Sequence, residues 1–218
     1  MQVPLPSSAL SALSALSPEQ HPDQPAYFDA MFAKSDDPWA FKSRWYERRK
    51  RALTLACLPS GRYLYGFEPG CANGELSACL ATRCDRLLVS DGVSAAVALA
   101  RQRLKDLPNV EVRKAWLPDQ WPFEKFDLIV LSEFLFYVQP AVVEQIAQKA
   151  LASLTPGGTI LACHWRHPIE ACVLNGDDVH DALRHCIRLP NQCHVQEPDL
   201  QLDVWSSGPT TAQKEGLA

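Results

Sequence analysis

FEPGCANGELS at residues 67–77 decides the fold of this chain. The run 63–67 that leads into it is aromatic and β-favouring, and the apolar residues that follow it recur at helical spacing. The pattern predicts a strand that enters a tight glycine turn and leaves as a helix. Gly70 and Gly74, with the small Ala72 between them, let a ligand approach the backbone closely. The turn therefore indicates a nucleotide-type site, and the alternative is a tight strand-to-helix turn without a ligand.

Residues that are absent from the turn narrow the choice of ligand. A triphosphate loop needs a lysine after its last glycine, but Glu75 follows Gly74 here. The dinucleotide fingerprint also fails, because the spacing is G-x-A-x-G and Glu68 places a carboxylate where a pyrophosphate needs positive potential. Glu68 instead favours a ligand that carries ammonium and sulfonium charge.

A second acidic residue stands where a nucleoside would need it. Asp91 ends the apolar run 87–91, roughly twenty residues beyond the glycine turn, and Gly92 follows it. At that spacing a second strand delivers a carboxylate to ribose hydroxyls. Taken alone, Asp-Gly is more often an ordinary turn, so its weight depends on its spacing to Glu68 and Gly70.

These motifs resemble those of the class I S-adenosylmethionine-dependent methyltransferases. The segments that carry the resemblance are FEPGCANGELS at 67–77, LLVSDG at 87–92, FDLIVLSE at 126–133 and LTPGGTILA at 154–162. Within that superfamily, DPWAFKSRWYERRKRALTLACLP at 37–59 and HWRHP at 164–168 are similar to the nodulation protein S group, which N-methylates chitooligosaccharide amines. The resemblance covers roughly residues 27–205. One departure is Ala72, which replaces the usual middle glycine and should tighten the turn without closing it.

The resemblance implies a doubly wound, Rossmann-like α/β fold. Its sheet would have seven strands in the order 3-2-1-4-5-7-6, six of them parallel and one antiparallel. We divide the chain into a flexible N-terminal tail at 1–25, a methyltransferase domain at 26–207 and a flexible C-terminal tail at 208–218.

Local patterns place the main elements. The near-continuous apolar run 126–131 is typical of a central parallel strand buried on both faces. Asp37 as N-cap and Pro38 at the first position predict the start of a helix that continues to about Cys57. The other predicted elements are helices over 94–107 (capped by Ser94) and 140–154, a short lid helix from Asp177, and a closing antiparallel pair over 192–197 and 200–205.

The family resemblance also assigns the site. It implies S-adenosyl-L-methionine as the cofactor and a small molecule or oligosaccharide as the acceptor. An amine must be neutral to attack, so Glu133, after the central strand, and His164 are the catalytic candidates for taking its proton. The predicted cofactor-binding residues are Tyr46, Arg49, Glu68, Gly70, Ala72, Gly74, Asp91, Gly92, Trp116, Leu117 and Ser132. The alternatives are a solvated helix face for the basic run that contains Arg49, core packing for Trp116, and a structural role for His164.

Composition excludes several classes of partner. The chain has 218 residues, a net charge of -4 and a pI near 5.9, so a nucleic-acid partner is not expected. The sequence has neither an apolar run long enough to span a bilayer nor the features of a signal peptide, and we expect a cytoplasmic protein, monomeric or homodimeric, without a membrane partner. Its eight cysteines show no C-x-x-C pair or established zinc spacing, so we expect free thiols and no metal.

The predicted function is N-methylation of an amine of a sugar or oligosaccharide. The alternative is a methyltransferase that acts on another small-molecule amine, hydroxyl or carboxylate. A nicotinamide-dependent dehydrogenase would have the same kind of sheet, but this chain lacks the third glycine of the dinucleotide fingerprint. A non-catalytic nucleoside-binding protein would not need the polar segment at 164–168.

Overall fold

The protein is built on one seven-stranded sheet, and the computed structural model describes residues 24–170 and 172–218. The strands are β1 Tyr63–Pro69, β2 Cys84–Asp91, β3 Val110–Lys114, β4 Phe126–Ser132, β5 Leu154–Trp165, β6 Asn191–Gln196 and β7 Leu200–Ser206. Their order is β3-β2-β1-β4-β5-β7-β6, and β7 alone runs antiparallel to its neighbours. The predicted fold class and strand order are confirmed.

Helices cover both faces of the sheet. They are α1 Gln24–Lys34, α2 Trp45–Ala56, α3 Glu75–Leu80, α4 Ser94–Leu104, α5 Pro140–Ser153, α6 Gly176–Cys186 and α7 Thr211–Lys214, with single 3-10 turns at Ala81–Arg83 and Leu135–Tyr137. In the part of the chain that the structure describes, no helix combines the length and apolarity needed to cross a bilayer. All eight cysteines are free.

The strand β4 forms the centre of the core. Successive side chains of a strand point to opposite faces, so Leu128 and Val130 join one apolar cluster while Ile129 and Leu131 join the other. All four are fully buried, as expected for a parallel strand covered on both faces. The carboxyl end of β4 is thereby fixed between β1 and β5.

The start of the predicted helix at Asp37 is wrong, because α2 begins at Trp45. Asp37 caps a turn instead: its carboxylate accepts from the backbone N–H groups of Phe41 (2.8 Å) and Lys42 (3.0 Å) and from the Asn73 side chain (3.0 Å). The helix α1 was not predicted. Together α1, this turn and α2 pass over the carboxyl end of the sheet.

Three smaller differences concern the other predicted elements. The helix α4 contains Ser94 as its first residue instead of as its cap, and it ends at Leu104. The helix predicted from Asp177 is present as α6, but its predicted role as a lid is wrong, since Val179 and Leu183 are fully buried in the core. The predicted N-terminal tail lies, up to residue 23, outside the described residues. In the C-terminal segment, α7 donates hydrogen bonds to the carbonyl of Pro59.

Candidate functional site

A cavity of about 630 Å³ opens at the carboxyl ends of the parallel strands. Open α/β sheets bind their ligands at this edge. The residues that line its floor and one wall are Gly70, Ala72, Asp91, Gly92, Val93, Ala115, Trp116 and Leu117. The residues that cover it from α1 and the following turn are Tyr27, Phe28, Phe32, Trp39 and Phe41. The site is thus a deep, largely aromatic pocket, as expected for a small-molecule ligand.

The glycine turn forms the floor through unusual backbone conformations. Gly70 has a φ of 70°, and a Cβ there would lie 3.0 Å from the Phe134 ring. Ala72 also has a positive φ, 46°, which costs a non-glycine residue on the order of 1 kcal/mol. Its N–H donates to Asp91 at 3.0 Å, and this bond offsets part of the strain. Ala72 therefore lines the cavity without closing it.

Trp116 packs flat against the backbone after β2. A Cβ on Gly92 would lie 2.3 Å from the indole, which only glycine permits. Asp91, just before it, accepts from the backbone N–H groups of Ala72 and Val93, while burial raises the pKa of its carboxyl. The predicted residues Asp91, Gly92, Trp116 and Leu117 thus lie together along one side of the cavity.

Glu68 and Ser132 line a smaller adjoining cavity of about 50 Å³ below the turn. Burial raises the pKa of Glu68 to about 8, and its Oε2 has no hydrogen-bond partner. The Oδ1 of Asn73, which lines the same cavity, is likewise unpartnered. Two buried acceptors without donors suit a ligand that brings an ammonium group. Gly74 lies elsewhere: a Cβ there would lie 3.3 Å from Ala100, so it serves the packing of α3 on α4.

The helix α2 brings one of its two predicted residues to the cavity and not the other. Tyr46 lines it, with its ring edge-on to Trp165 at 5.2 Å. Arg49 does not: its guanidinium makes a bidentate ion pair with Glu197, both distances 2.6 Å. The residue that the prediction missed is Lys50, four positions after Tyr46 and therefore on the same helix face. Helical spacing from Tyr46 is the signal that could have found it.

Glu133 faces the cavity at the end of β4 with a φ of 61°. Its Oε1 lies 2.7 Å from the ammonium of Lys50, and its Oε2 accepts from the N–H of Trp165 at 3.2 Å. Lys50 also contacts Glu47 at 2.9 Å. Although burial favours the neutral amine, the two carboxylates raise the pKa of Lys50 above its usual value. Burial raises the pKa of Glu47.

His164 lies in the core and does not line the cavity. Its Nδ1 is 3.2 Å from Nε2 of His180, whose Nδ1 is 2.6 Å from the Asp203 carboxylate. Burial lowers the pKa of both imidazoles. The Nε2 of His164 has no hydrogen-bond partner and lies beside the ring of Phe136.

The end of β5 and the turn before β7 form the cavity mouth. Trp165 and Asp199 line it, and the Tyr46 hydroxyl donates to the carbonyl of Asp199 at 3.5 Å. Arg166 is committed to Asp177, with two hydrogen bonds of 2.6 and 2.8 Å. The mouth therefore contains two aromatic side chains, and the Asp199 carboxylate there lies 2.8 Å from Nε2 of His167.

These residues fit an adenosyl amino-acid cofactor. The floor at Gly70 and Gly92 allows close approach, Asp91 places a carboxylate beside it, and Trp116 offers a ring face. The unpartnered oxygens below the turn suit the ammonium of the amino-acid part.

Sequence comparison supplies an independent identification. The sequence model of the family Nodulation protein S (NodS) matches residues 31–173. A Nodulation protein S from Sinorhizobium fredii (strain NBRC 101917 / NGR234) is 31% identical over 126 residues, which cover 57% of this chain and 58% of that protein. The chain therefore spans less than two thirds of the length of this curated relative.

Solved structures share the fold. The N-methyltransferase NodS from Bradyrhizobium japonicum WM9, crystallised with S-adenosyl-L-homocysteine, is 26% identical, with a TM-score of 0.77 over 85% of this chain and 98% of that one. A candidate methyltransferase from Pseudomonas syringae is 52% identical, with a TM-score of 0.68 over 75% of this chain and 99% of that one.

Proposed function

Since the chain belongs to the nodulation protein S family of S-adenosylmethionine-dependent methyltransferases, we propose that it methylates an amine of a sugar or oligosaccharide. When bound, S-adenosylmethionine supplies a methyl group on a cationic sulfur, which is already activated for transfer. The protein then has to align the acceptor, exclude water and accept a proton. We assign cofactor binding to the turn and to the wall formed by Asp91, Gly92, Trp116 and Leu117.

The observation that carries the proposal is the position of Glu133. Its carboxylate faces the cavity at the end of the central strand, where an acceptor would meet the cofactor. Each carboxylate oxygen has two lone pairs, so the bonds to Lys50 and Trp165 leave acceptor capacity for an amine N–H. A carboxylate so placed can hold the amine and take the proton that it loses.

Charge favours an amine over a carboxylate acceptor. Four carboxylates line the cavity, those of Glu47, Asp91, Glu133 and Asp199, against the two cations Arg44 and Lys50. A negative cavity attracts an amine that arrives protonated and repels an anionic acceptor.

The mouth supports a sugar as the carrier of that amine. Trp165, Tyr46 and Asp199 all line the cavity, so aromatic rings and a hydrogen-bonding carboxylate occur in the same part of its wall. A sugar ring likewise combines C–H faces with hydroxyls. The cover formed by α1 keeps the opposite side dry, which favours transfer to the acceptor instead of to water.

Two experiments in sequence test the proposal. Thermal unfolding is first measured with S-adenosylmethionine, S-adenosylhomocysteine and NAD; we expect the midpoint to rise with the two adenosyl ligands only. Methyl transfer is then followed by mass spectrometry with a chitooligosaccharide that has one free amine and with its fully N-acetylated counterpart as the control. We expect a gain of one methyl group on the free amine alone. Transfer only to small non-sugar amines, hydroxyls or carboxylates would contradict the sugar assignment.

A further inference from the structure

The cluster of Lys50, Glu47 and Glu133 joins α2 to the end of β4 beneath the cavity. We propose that Lys50 is a positioning residue, which holds the Glu133 carboxylate toward the acceptor while Glu47 balances its charge. This inference rests on the proposed function, because it concerns the same acceptor site.

The contacts of Glu133 leave its carboxylate one orientation. Lys50 lies 2.7 Å from Oε1, and the N–H of Trp165 is 3.2 Å from Oε2. The side chain of Lys50 is only 7% exposed and that of Glu133 17%, so water competes little for either group. The carboxylate is thereby fixed at both oxygens in a partly dry site, where a charge-assisted bond is strong.

The backbone of Glu133 is fixed independently of Lys50. Glu133 has a φ of 61°, a conformation that a non-glycine residue adopts only when its surroundings impose it. Its N–H donates to the carbonyl of Cys163 at 3.1 Å, which fixes the backbone. The side chain still needs a partner on the cavity side, and Lys50 is the cation placed there.

The second carboxylate explains why the tether has to be a cation. Glu47 lies 2.9 Å from Lys50 with its side chain 9% exposed. Without the ammonium, two nearly buried carboxylates would share one site, and one of them would retain a proton. A carboxyl group that keeps its proton cannot accept one from the amine, so activity would fall at neutral pH. The charged or titratable groups that face this cluster are Tyr46, Glu47 and Arg51 from α2, Glu133 after β4, Cys163 and His164 from β5, and Glu68 from β1 across the adjoining cavity.

A purely structural role gives different expectations. Replacing a buried ion pair by apolar groups is often neutral for stability, so an apolar stem in place of Lys50 would keep the helix packed. Such a role would change stability, also in a pH-dependent way because two carboxylates lose their cation, but it would leave the pH dependence of kcat/KM unchanged. A positioning role would in addition change how kcat/KM depends on pH.

Three variants separate the two roles. In Lys50→Met the ammonium is lost and both carboxylates remain; Lys50→Arg keeps the charge; Glu47→Gln with Lys50→Met removes the competing carboxylate as well. For each we would measure kcat/KM against pH with the amine acceptor, the shift of the melting midpoint by S-adenosylhomocysteine, and the midpoint of the free protein from pH 6 to pH 9.

We expect the loss of kcat/KM in Lys50→Met, relative to the parent, to be at least about tenfold larger at pH 6 than at pH 9. A tenfold difference corresponds to a shift of about one unit in the pH at which kcat/KM falls on the acid side (the acid limb). The melting midpoint of the free variant should fall relative to that of the parent as pH rises, since ionising both carboxylates costs folded stability. Lys50→Arg should restore the pH at which the parent's kcat/KM falls on the acid side. The double variant should move that pH back toward the parent value, while its kcat stays below that of the parent.

Outcomes distinguish this inference from the function on which it rests. A parent protein that methylates no amine would refute the proposed function. A parent that does so, with Lys50→Met showing the parent's acid limb, would overturn the role of Lys50. If Lys50→Met does not fold, the double variant is the test. A double variant that binds S-adenosylhomocysteine and keeps the kcat/KM of the parent would also overturn the role of Lys50.

Discussion

Adding a Cβ at Gly92 tests whether the adenine of the cofactor packs against Trp116 in the proposed cofactor site. In Gly92→Ala the new carbon would lie 2.3 Å from the indole, whereas carbon atoms in contact normally lie about 3.5–4.0 Å apart. The ring has to move by more than about 1 Å, out of its position along the cavity. Stacking of a base on an aromatic side chain contributes about 1–3 kcal/mol. We therefore expect the affinity for S-adenosylhomocysteine to fall by about 5- to 150-fold.

Calorimetric titration of the variant with S-adenosylhomocysteine measures this loss, and Gly61→Ala is the matched control. A Cβ at Gly61 would meet nothing within 4 Å, so the control should bind like the parent. Repeating Gly92→Ala in a Trp116→Ala background should add little, because both changes act on one ring. The reasoning is refuted if Gly92→Ala binds S-adenosylhomocysteine within about twofold of the parent affinity. It is also refuted if Gly92→Ala causes the same loss of affinity in the Trp116→Ala background as in the parent.

Three further expectations concern buried ionisable groups. Glu133→Gln keeps the shape of the side chain but cannot take a proton, so kcat with an amine should fall by about 10²–10⁴-fold while S-adenosylhomocysteine affinity changes little; equal losses would make Glu133 a binding residue. Burial raises the pKa of Glu68 in the folded protein to about 8. Ionisation of this carboxyl therefore lowers the stability of the fold as pH rises from about 4.3 through 8. Glu68→Gln should raise the melting midpoint at pH 8.5 and not at pH 5, and an equal rise at both pH values would contradict this. Burial lowers the folded pKa of His164, so the parent should lose stability as pH falls below about 6.5; urea midpoints at pH 8 and pH 5 should differ less in His164→Asn, and an unchanged difference would contradict it.

Much of the fold could be predicted because long-range and local signals agree in the sheet. The run 126–131 is apolar on both alternating faces, and only a central parallel strand buries both. The glycine turn and Asp91 could be placed from spacing alone, since strand ends of a doubly wound sheet meet at one edge. These positions depend on the backbone, which the local sequence largely determines.

The parts that were predicted incorrectly depend on tertiary partners. Asp37 and Pro38 satisfy the local rules for a helix start, but the carboxylate binds Asn73 across the site and caps a turn. The start of α2 therefore lies at Trp45. Arg49 was predicted to bind the cofactor, but its guanidinium is paired with Glu197, a partner 148 positions away that local sequence does not indicate. His164 illustrates a second limit: it directly precedes Trp165, and alternation along a strand sends the two side chains to opposite faces. Alternation predicts that His164 and Trp165 point to opposite faces of the sheet, but it does not predict which of the two faces the cavity.

The cavity is assembled from three sets of chain segments with separate origins, of which one is the cover formed by α1 and the turn after it. Floor and cofactor wall come from one continuous stretch, between Gly70 and Glu133, whereas the mouth comes from α2 and from residues between Trp165 and Asp199. Substitutions at the mouth therefore leave the continuous stretch intact. Evolution, or an engineer who grafts loops, can exchange the acceptor in small steps while methyl-donor chemistry is inherited unchanged.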